Sequence, residues 1–351
     1  MSIEIIDLFC GIGGLTRGLI DSGLNVVAGF DIDPTCKYTY EHNNKVPYCM
    51  QNIREVQAED LEKKYTENAT KILVGCAPCQ PFSKMRFKLG EANESDEKYN
   101  LLLEFGRLIE EVQPTIISME NVPQIKETDI YSQFIQVLER NGYHYSDKVV
   151  YCPDYGIPQS RRRFVLVGSL LGPIELIPPT HRREDVNVKD FIGGLPHIEA
   201  GKTDPDDPLH RSAALSETNL KRIKASKPGG TWHDWPENLR CPCHTKESGK
   251  TYSSVYGRMS WDKIGPTITT QFYSFGTGRY GHPEQDRALS LREGALLQTF
   301  PIDYDFIDPG KRFVFGDIAR HIGNAVPVKL GEVIGKTIVN HLADNNVGEE
   351  E

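Results

Sequence analysis

The sequence predicts an α/β protein: a doubly wound, mainly parallel sheet accompanied by a smaller, irregular second domain. Three observations carry this. Short, β-rich apolar runs alternate with helix-period segments through the first half of the 351 residues. A strand runs straight into the glycine-rich turn Gly11-Ile12-Gly13-Gly14 and on into a helix. The alternation stops near Pro173, and residues 173–284 are rich in Gly, Pro, His and Trp with little period.

The elements follow in order. Ile3–Ile6, Val26–Phe30, Ile72–Val74, Thr115–Met119, Lys148–Tyr151 and Phe164–Val167 read as strands, because short runs of this composition suit positions buried on both faces of a sheet. Asp33-Pro34 reads as an N-cap followed by proline at the first helical position. Leu101, Phe105, Leu108 and Val112 recur at helical spacing, and Phe134, Val137 and Leu138 mark a shorter helix. After residue 285 order returns: "ALSLREGALLQTF" and "VKLGEVIGKTIVNHL" read as helices, the second with Leu330, Ile334, Ile338 and Leu342 on one face.

The totals set bounds. No run reaches the length of a membrane span, and the first ten residues lack the basic flank and apolar core of a secretory signal. Eight irregularly spread cysteines in a chain of this size favour reduced thiols and a cytoplasmic location. The net charge of −9 argues only weakly against a nucleic-acid partner, since a local basic face is what binds phosphate.

Four stretches carry candidate chemistry. Gly11, Gly13 and Gly14 permit a tight turn and close approach of a ligand to a helix N-terminus, and Asp31, at the end of the second strand, sits where doubly wound folds grip ribose hydroxyls. Thr16 stands where a dinucleotide fingerprint wants its third glycine, so a nucleoside-bearing ligand is favoured over NAD, and a simple tight turn is the bland alternative. In "GCAPCQPFS", Cys76-Ala-Pro-Cys79 reads as a redox pair, as two metal ligands, or as one nucleophile beside a packing neighbour. Pro78 and Pro81 stiffen the loop around Cys79. Glu120, ending the strand of "TIISMENVPQI", is a carboxylate at a sheet edge that is costly unless paired or used, with a cap or surface acid as the alternative. In "GIPQSRRRFVLVG", Arg161 and Arg163 alternate on one face and suit a phosphate or a buried carboxylate, unless they form a solvated basic turn.

Taken together, "DLFCGIGG", "GCAPCQPFS", "MENV", "QSRRR", "RALSLREGALLQTFP" and "IGNAVP", in that order, resemble the motifs of bacterial C5-cytosine DNA methyltransferases. The likeness covers about 1–170 and 285–330. It implies the S-adenosylmethionine-dependent methyltransferase type of doubly wound sheet, S-adenosyl-L-methionine as cofactor, and double-stranded DNA with a flipped-out cytosine as substrate. Cys79 would attack C6 of the ring, Glu120 would supply an acid at N3, Arg163 would hold the base carbonyl and order Glu120, and Arg161 would meet backbone phosphate. The cofactor would be held by Phe9, Gly11, Gly13 and Gly14 around its methionine part, with Pro78 nearby, by Asp31 at the ribose and by Ile32 at the adenine. Asn52, where the family usually has an acid, would accept from the adenine amino group, and Asn324 and Ala325 would close the pocket. Gln80, Ser83, Asn121, Gln159 and Thr267 would position the target. The domains implied are 1–178 plus 318–351 for catalysis and cofactor, 179–304 for target recognition, and a hinge at 305–317.

Rival readings use fewer of these residues. A thiol-disulfide oxidoreductase explains only the paired cysteines, and an RNA-directed enzyme leaves the large second domain unexplained. Methylation of an exocyclic amino group wants an Asp/Asn-Pro-Pro-aromatic loop, and Pro178-Pro179 lies in none. Cys241-Pro242-Cys243-His244 lacks a second ligand pair nearby, so no metal is expected. The expected partners are DNA and, where one exists, a separately encoded cognate restriction endonuclease; the enzyme is expected to be a monomer with no membrane association.

Overall fold

The computed structural model describes residues 2–78, 100–246 and 254–347. The chain divides into two compact units: Met1–Tyr151, Arg162–Pro179 and Val326–Glu351 form one, and Cys152–Arg161 with Thr180–Ala325 form the other. Residues 318–325, expected in the first domain, fall in the second unit, as does the segment just before the last strand of the first.

The first unit is built on one seven-stranded sheet, in the order β3-β2-β1-β4-β5-β7-β6. Its strands are β1 (Ile3–Leu8), β2 (Asn25–Asp31), β3 (Tyr48–Met50), β4 (Thr70–Gly75), β5 (Ile116–Asn121), β6 (His144–Tyr151) and β7 (Arg162–Ser169). The first five are parallel, while β7 runs antiparallel to both β5 and β6. The helices α1 (Gly14–Asp21), α2 (Lys37–Asn44), α3 (Ala58–Glu62), α4 (Leu101–Val112) and α5 (Asp129–Arg140) supply the crossovers. Strands β1, β4 and β5 are almost wholly buried, as their apolar runs predict. The periodicity of α4 and α5 is that of a shared core: Phe105 meets Phe134 at 5.8 Å between ring centroids, and Leu102, Leu108 and Leu138 pack in the same cluster. Strand β3 escapes sequence reading because three residues show no period, and β6 is longer than its apolar part because an edge strand keeps one face in solvent.

The second unit is irregular, with α6 (Lys189–Ile192), α7 (Glu217–Ala225), α8 (Leu291–Leu297), α9 (Phe315–Asn324), several 3-10 turns and isolated bridges. Ile223, Trp232, Trp235, Phe275 and Ala288 form a core cluster. A second anchor is ionic. Arg287 and Glu293 are fully buried and joined by two hydrogen bonds of 2.7 Å, and Glu293 also accepts the N–H of Ser290, the N-cap of α8. Burial pushes the Glu293 carboxyl up, but the facing Arg287 outweighs it and holds the group at about 2.

The C-terminal helix α10 (Val328–Asp344) returns to the first unit and lies against α1. Glycine makes that approach: a Cβ on Gly18 would sit 2.3 Å from the Val328 carbonyl oxygen and 2.5 Å from the Glu332 nitrogen. Backbone cannot yield as a side-chain tip can, so Gly18→Ala should cost about 1–3 kcal/mol, read as a lowered urea midpoint with unchanged slope. An unchanged midpoint would mean that α1 and α10 do not pack this closely. His341 Nε2 lies 2.8 Å from Ser169 Oγ, and the Ile177 N–H donates to Thr337 Oγ1 at 3.1 Å, tying α10 to β7 and the strand's exit.

Candidate active site

At the C-terminal ends of β1 and β2 the chain makes an open cradle. Phe9, Gly11 and Gly13 have φ of 59°, 51° and 85°, so the turn is left-handed at three of five residues before α1 begins. Glycine meets that demand at two of them without strain. A Cβ on Gly11 would touch nothing within 4 Å among the described residues, which leaves space there beside the backbone. Asp31 braces the turn: Oδ2 accepts the Gly11 N–H at 2.9 Å and Oδ1 the Asp33 N–H at 3.0 Å. Burial raises the Asp31 carboxyl above its ordinary range. Ile32 is 63 % exposed, and Met50, the register partner of Asp31 on β3, is 57 % exposed. Two bare apolar side chains beside a braced carboxylate suit a planar base joined to a ribose. The residues present therefore fit a nucleoside cofactor. Met50 lacks any sequence signal, since only the pairing of β3 brings it here. Asn52 Oδ1 accepts the Arg54 N–H at 3.2 Å, which fixes its amide in a local turn.

Beneath the turn lies a buried acid that the sequence does not single out. Asp7 accepts from Thr16 Oγ1 at 2.6 Å, and Thr16 lies 3.0 Å from the Tyr40 hydroxyl. The other Asp7 oxygen has no hydrogen-bond partner among the described residues. Burial raises this carboxyl from 3.8 to about 7, opposed by Thr16 and assisted by the charge of Asp31. Folded protein therefore holds a proton here that the unfolded chain has already lost. Stability from this group is full below pH 3.8 and is lost as pH rises through 7, at up to about 1.4 kcal/mol per pH unit. Asp7→Asn should flatten urea-denaturation stability against pH across that window; slopes matching the wild type would remove Asp7 as its source.

The second cluster lies at the ends of β4 and β5. Gly75 pairs with Met119, so the chain leaving β4 passes Glu120. Glu120 is 2 % exposed; its Oε2 accepts from Cys76 Sγ at 2.8 Å, and Arg163 Nε lies 2.9 Å from Oε1. That ion pair is close but not aligned as a hydrogen bond, so Oε1 makes none among the described residues. Asn121 is fully buried and clamps the loop, its Nδ2 donating to the Ala77 carbonyl at 3.1 Å while its Oδ1 accepts the Val122 N–H at 2.8 Å. Cys76, expected only to pack, thus touches the carboxyl. Pro78 is half-buried, whereas Cys79, Gln80 and Ser83 lie outside the described residues.

The remaining candidates belong to the second unit. Arg161 does not share partners with Arg163 and does not present a free guanidinium to phosphate. It is buried, with Nη1 donating to the Ile268 carbonyl at 3.0 Å and Nη2 to that of Ala325 at 3.4 Å. Alternation along a strand failed as a guide because β7 begins only at Arg162. Gln159 is fully buried and joins three segments, donating to Leu297 O and Gln298 Oε1 at 2.8 Å and accepting the Ile268 N–H at 3.0 Å. Thr267 Oγ1 donates to the Ser160 carbonyl at 3.0 Å. Asn324 ends α9 and Ala325 follows it.

A doubly wound sheet with an open glycine turn and braced carboxylate at one pair of strand ends, and a buried acid–guanidinium pair at another, suits the class of enzymes that act with a nucleoside cofactor. The profile of C-5 cytosine-specific DNA methylases matches residues 3–340, and the chain belongs to that family. It is 53 % identical over 342 residues to the type II methylase M.HgiDII of Herpetosiphon aurantiacus, covering 96 % of this chain and 95 % of that protein. It is 30 % identical over 346 residues to the type II methyltransferase M1.HphI of Haemophilus parahaemolyticus, covering 97 % and 87 %. Among solved structures, a prophage-encoded DNA modification methyltransferase from E. coli superimposes with a TM-score of 0.74 at 23 % identity, covering 97 % of this chain and all of that one. The protein is a DNA (cytosine-5-)-methyltransferase that uses S-adenosyl-L-methionine. No helix among the described residues is long and apolar enough to cross a membrane.

Proposed function

We propose that this enzyme methylates one cytosine within a specific duplex DNA word, through a covalent adduct between Cys79 and C6 of a flipped-out base. The observation that carries the reading is the buried Glu120 carboxyl, paired with Arg163 and lying against the loop that leads to Cys79. S-adenosyl-L-methionine supplies an electrophilic methyl group. Cytosine C5 is too weak a nucleophile to take it unaided, so the Cys79 thiolate adds to C6 and turns the ring into an enamine. Charge then develops toward N3, where Glu120 donates a hydrogen bond or proton from Oε1, the oxygen that makes no hydrogen bond among the described residues. Arg163 orients that carboxyl and faces the base carbonyl. Once C5 carries the methyl, its proton passes to water, the C6–S bond breaks to return Cys79 as thiolate, and any proton taken up at N3 goes back to Glu120.

In this reading Phe9, Gly11, Gly13, Gly14 and Pro78 surround the methionine part, Asp31 takes the ribose hydroxyls, and Ile32 with Met50 lies against the adenine. Asn52 keeps one lone pair for the adenine amino group, and the family resemblance also assigns Asn324 and Ala325 to the cofactor. Arg161 and Gln159 act as positioning residues for the segment around Thr267, with Gln80, Ser83 and Asn121 arranging the target loop. The second unit supplies DNA recognition, since its polar and aromatic loops are of the kind that read base edges. The enzyme serves a restriction-modification system, as the type II names of its relatives suggest; it acts in the cytoplasm as a monomer, with any companion endonuclease on a separate chain. Bisulfite sequencing of a host expressing the protein tests the base, position and word: one word with one protected cytosine is expected, and an unmodified genome with soluble, cofactor-supplied protein would refute it.

A further inference from the structure

The stretch Arg240-Cys241-Pro242-Cys243-His244 reads as a poor metal motif, because spacing offers no second ligand pair. The fold supplies what spacing does not. A 3-10 turn over Pro242–Thr245 brings Cys241 Sγ, Cys243 Sγ and a ring nitrogen of His244 within 4.8 Å of one another. Bonds of about 2.3 Å to sulfur and 2.0–2.1 Å to nitrogen put tetrahedral zinc ligands about 3.6–3.8 Å apart. Side-chain adjustments of about 1 Å close the set on such an ion.

The surroundings are those of a supported site. The turn aims the His244 backbone N–H at Cys241 sulfur, and His244 Nδ1 accepts the Cys241 N–H at 3.3 Å, a long bond that an ion on the imidazole replaces, since one lone pair cannot serve both. An N–H donor aimed at sulfur stabilises a metal-bound thiolate. The His244 ring is fixed by stacking on Trp232, 4.2 Å between centroids at 18°, with Tyr256 edge-on at 5.8 Å. Cys241 and His244 are buried while Cys243 is exposed, which gives an ion a way in. Two thiolates neutralise a divalent ion, so the loaded site carries no net charge beside the Arg222 guanidinium that covers Trp235 and Tyr256. Sulfur and imidazole select zinc-like ions over magnesium or calcium.

We propose that Cys241, Cys243 and His244 form a three-ligand site for a thiophilic divalent cation of the zinc class, with solvent as fourth ligand, ordering the turn at 241–245 in the second unit. The site is chemically independent of methyl transfer. The test uses the reduced full chain. Purified from zinc-containing medium, it should retain about one zinc per chain. After chelation, added Co2+ should produce thiolate-to-cobalt charge-transfer absorption and the strong visible bands of tetrahedral cobalt. Cys243→Ser, at an exposed position outside the core, and His244→Ala should each reduce bound zinc at least about tenfold, whereas Cys76→Ser should not. Absence of thiolate–cobalt absorption in the wild type would overturn the site. So would equal metal content in Cys243→Ser, or a Cys241–Cys243 disulfide in protein isolated without reductant, seen as a mass lower by two hydrogens.

Discussion

Cys79→Ser should lower methyl transfer by about 10⁴-fold or more, the scale on which removing a covalent nucleophile acts, while gel-shift affinity for cognate DNA stays within a few-fold. The reason lies in the difference between binding and chemistry. A hydroxyl is nearly the shape of a thiol, so the pocket for the flipped base is kept. Its oxygen is scarcely ionised at neutral pH, so addition to C6 loses its driving partner. DNA carrying 5-fluorocytosine sharpens the experiment, because a fluorine at C5 cannot leave as a proton. Wild-type enzyme should remain attached to it under denaturing electrophoresis and Cys79→Ser should not. Full activity in Cys79→Ser would end the covalent mechanism. Cys76→Ala is the companion variant. Its sulfur touches Glu120 through one neutral donor, so the expected loss is no more than about tenfold. A loss as deep as that of Cys79→Ser would shift the chemistry toward a paired-cysteine role.

Glu120→Gln should reduce kcat by about 10²–10⁴, the usual worth of a positioned acid. The amide preserves volume and a hydrogen-bond donor but cannot release a proton, and it leaves Arg163 facing a neutral group. Arg163→Gln should also slow turnover. Combining the two should cost little more than Glu120→Gln alone, because both act through one carboxyl. An unchanged kcat in Glu120→Gln removes the acid role, and strictly additive losses separate Arg163 from it.

Much of the fold is legible in the order of amino acids, for reasons that differ by element. Strands β1, β4 and β5 are buried on both faces, so burial writes itself into consecutive apolar residues. Helices α4 and α5 bury one stripe, so their partners recur at helical spacing. Strand β3 is too short to show a period, and with it Met50 stays hidden. The shared face that alternate spacing suggests for Arg161 and Arg163 is absent for a related reason. They differ by two in sequence, but the chain passes from the second unit into β7 between them, so one guanidinium meets backbone carbonyls and the other Glu120.

The sequence by itself determined the class of chemistry. The ordered motifs around the glycine turn, Asp31, Cys79 and Glu120 run through the stretch that matches the C-5 cytosine-specific DNA methylases, because a shared chemistry records its needs as residue types in order. Only the tertiary structure decided which groups meet. Cys76 on Glu120, Asn121 on the Ala77 carbonyl, Asp7 beneath the cofactor turn, Gly18 against the backbone of α10 and the closing of Cys241, Cys243 and His244 into one cluster are all contacts in space. They depend on strand register, helix approach and the turn of a short 3-10 segment, and these arise from packing across the chain rather than from any local run of residues.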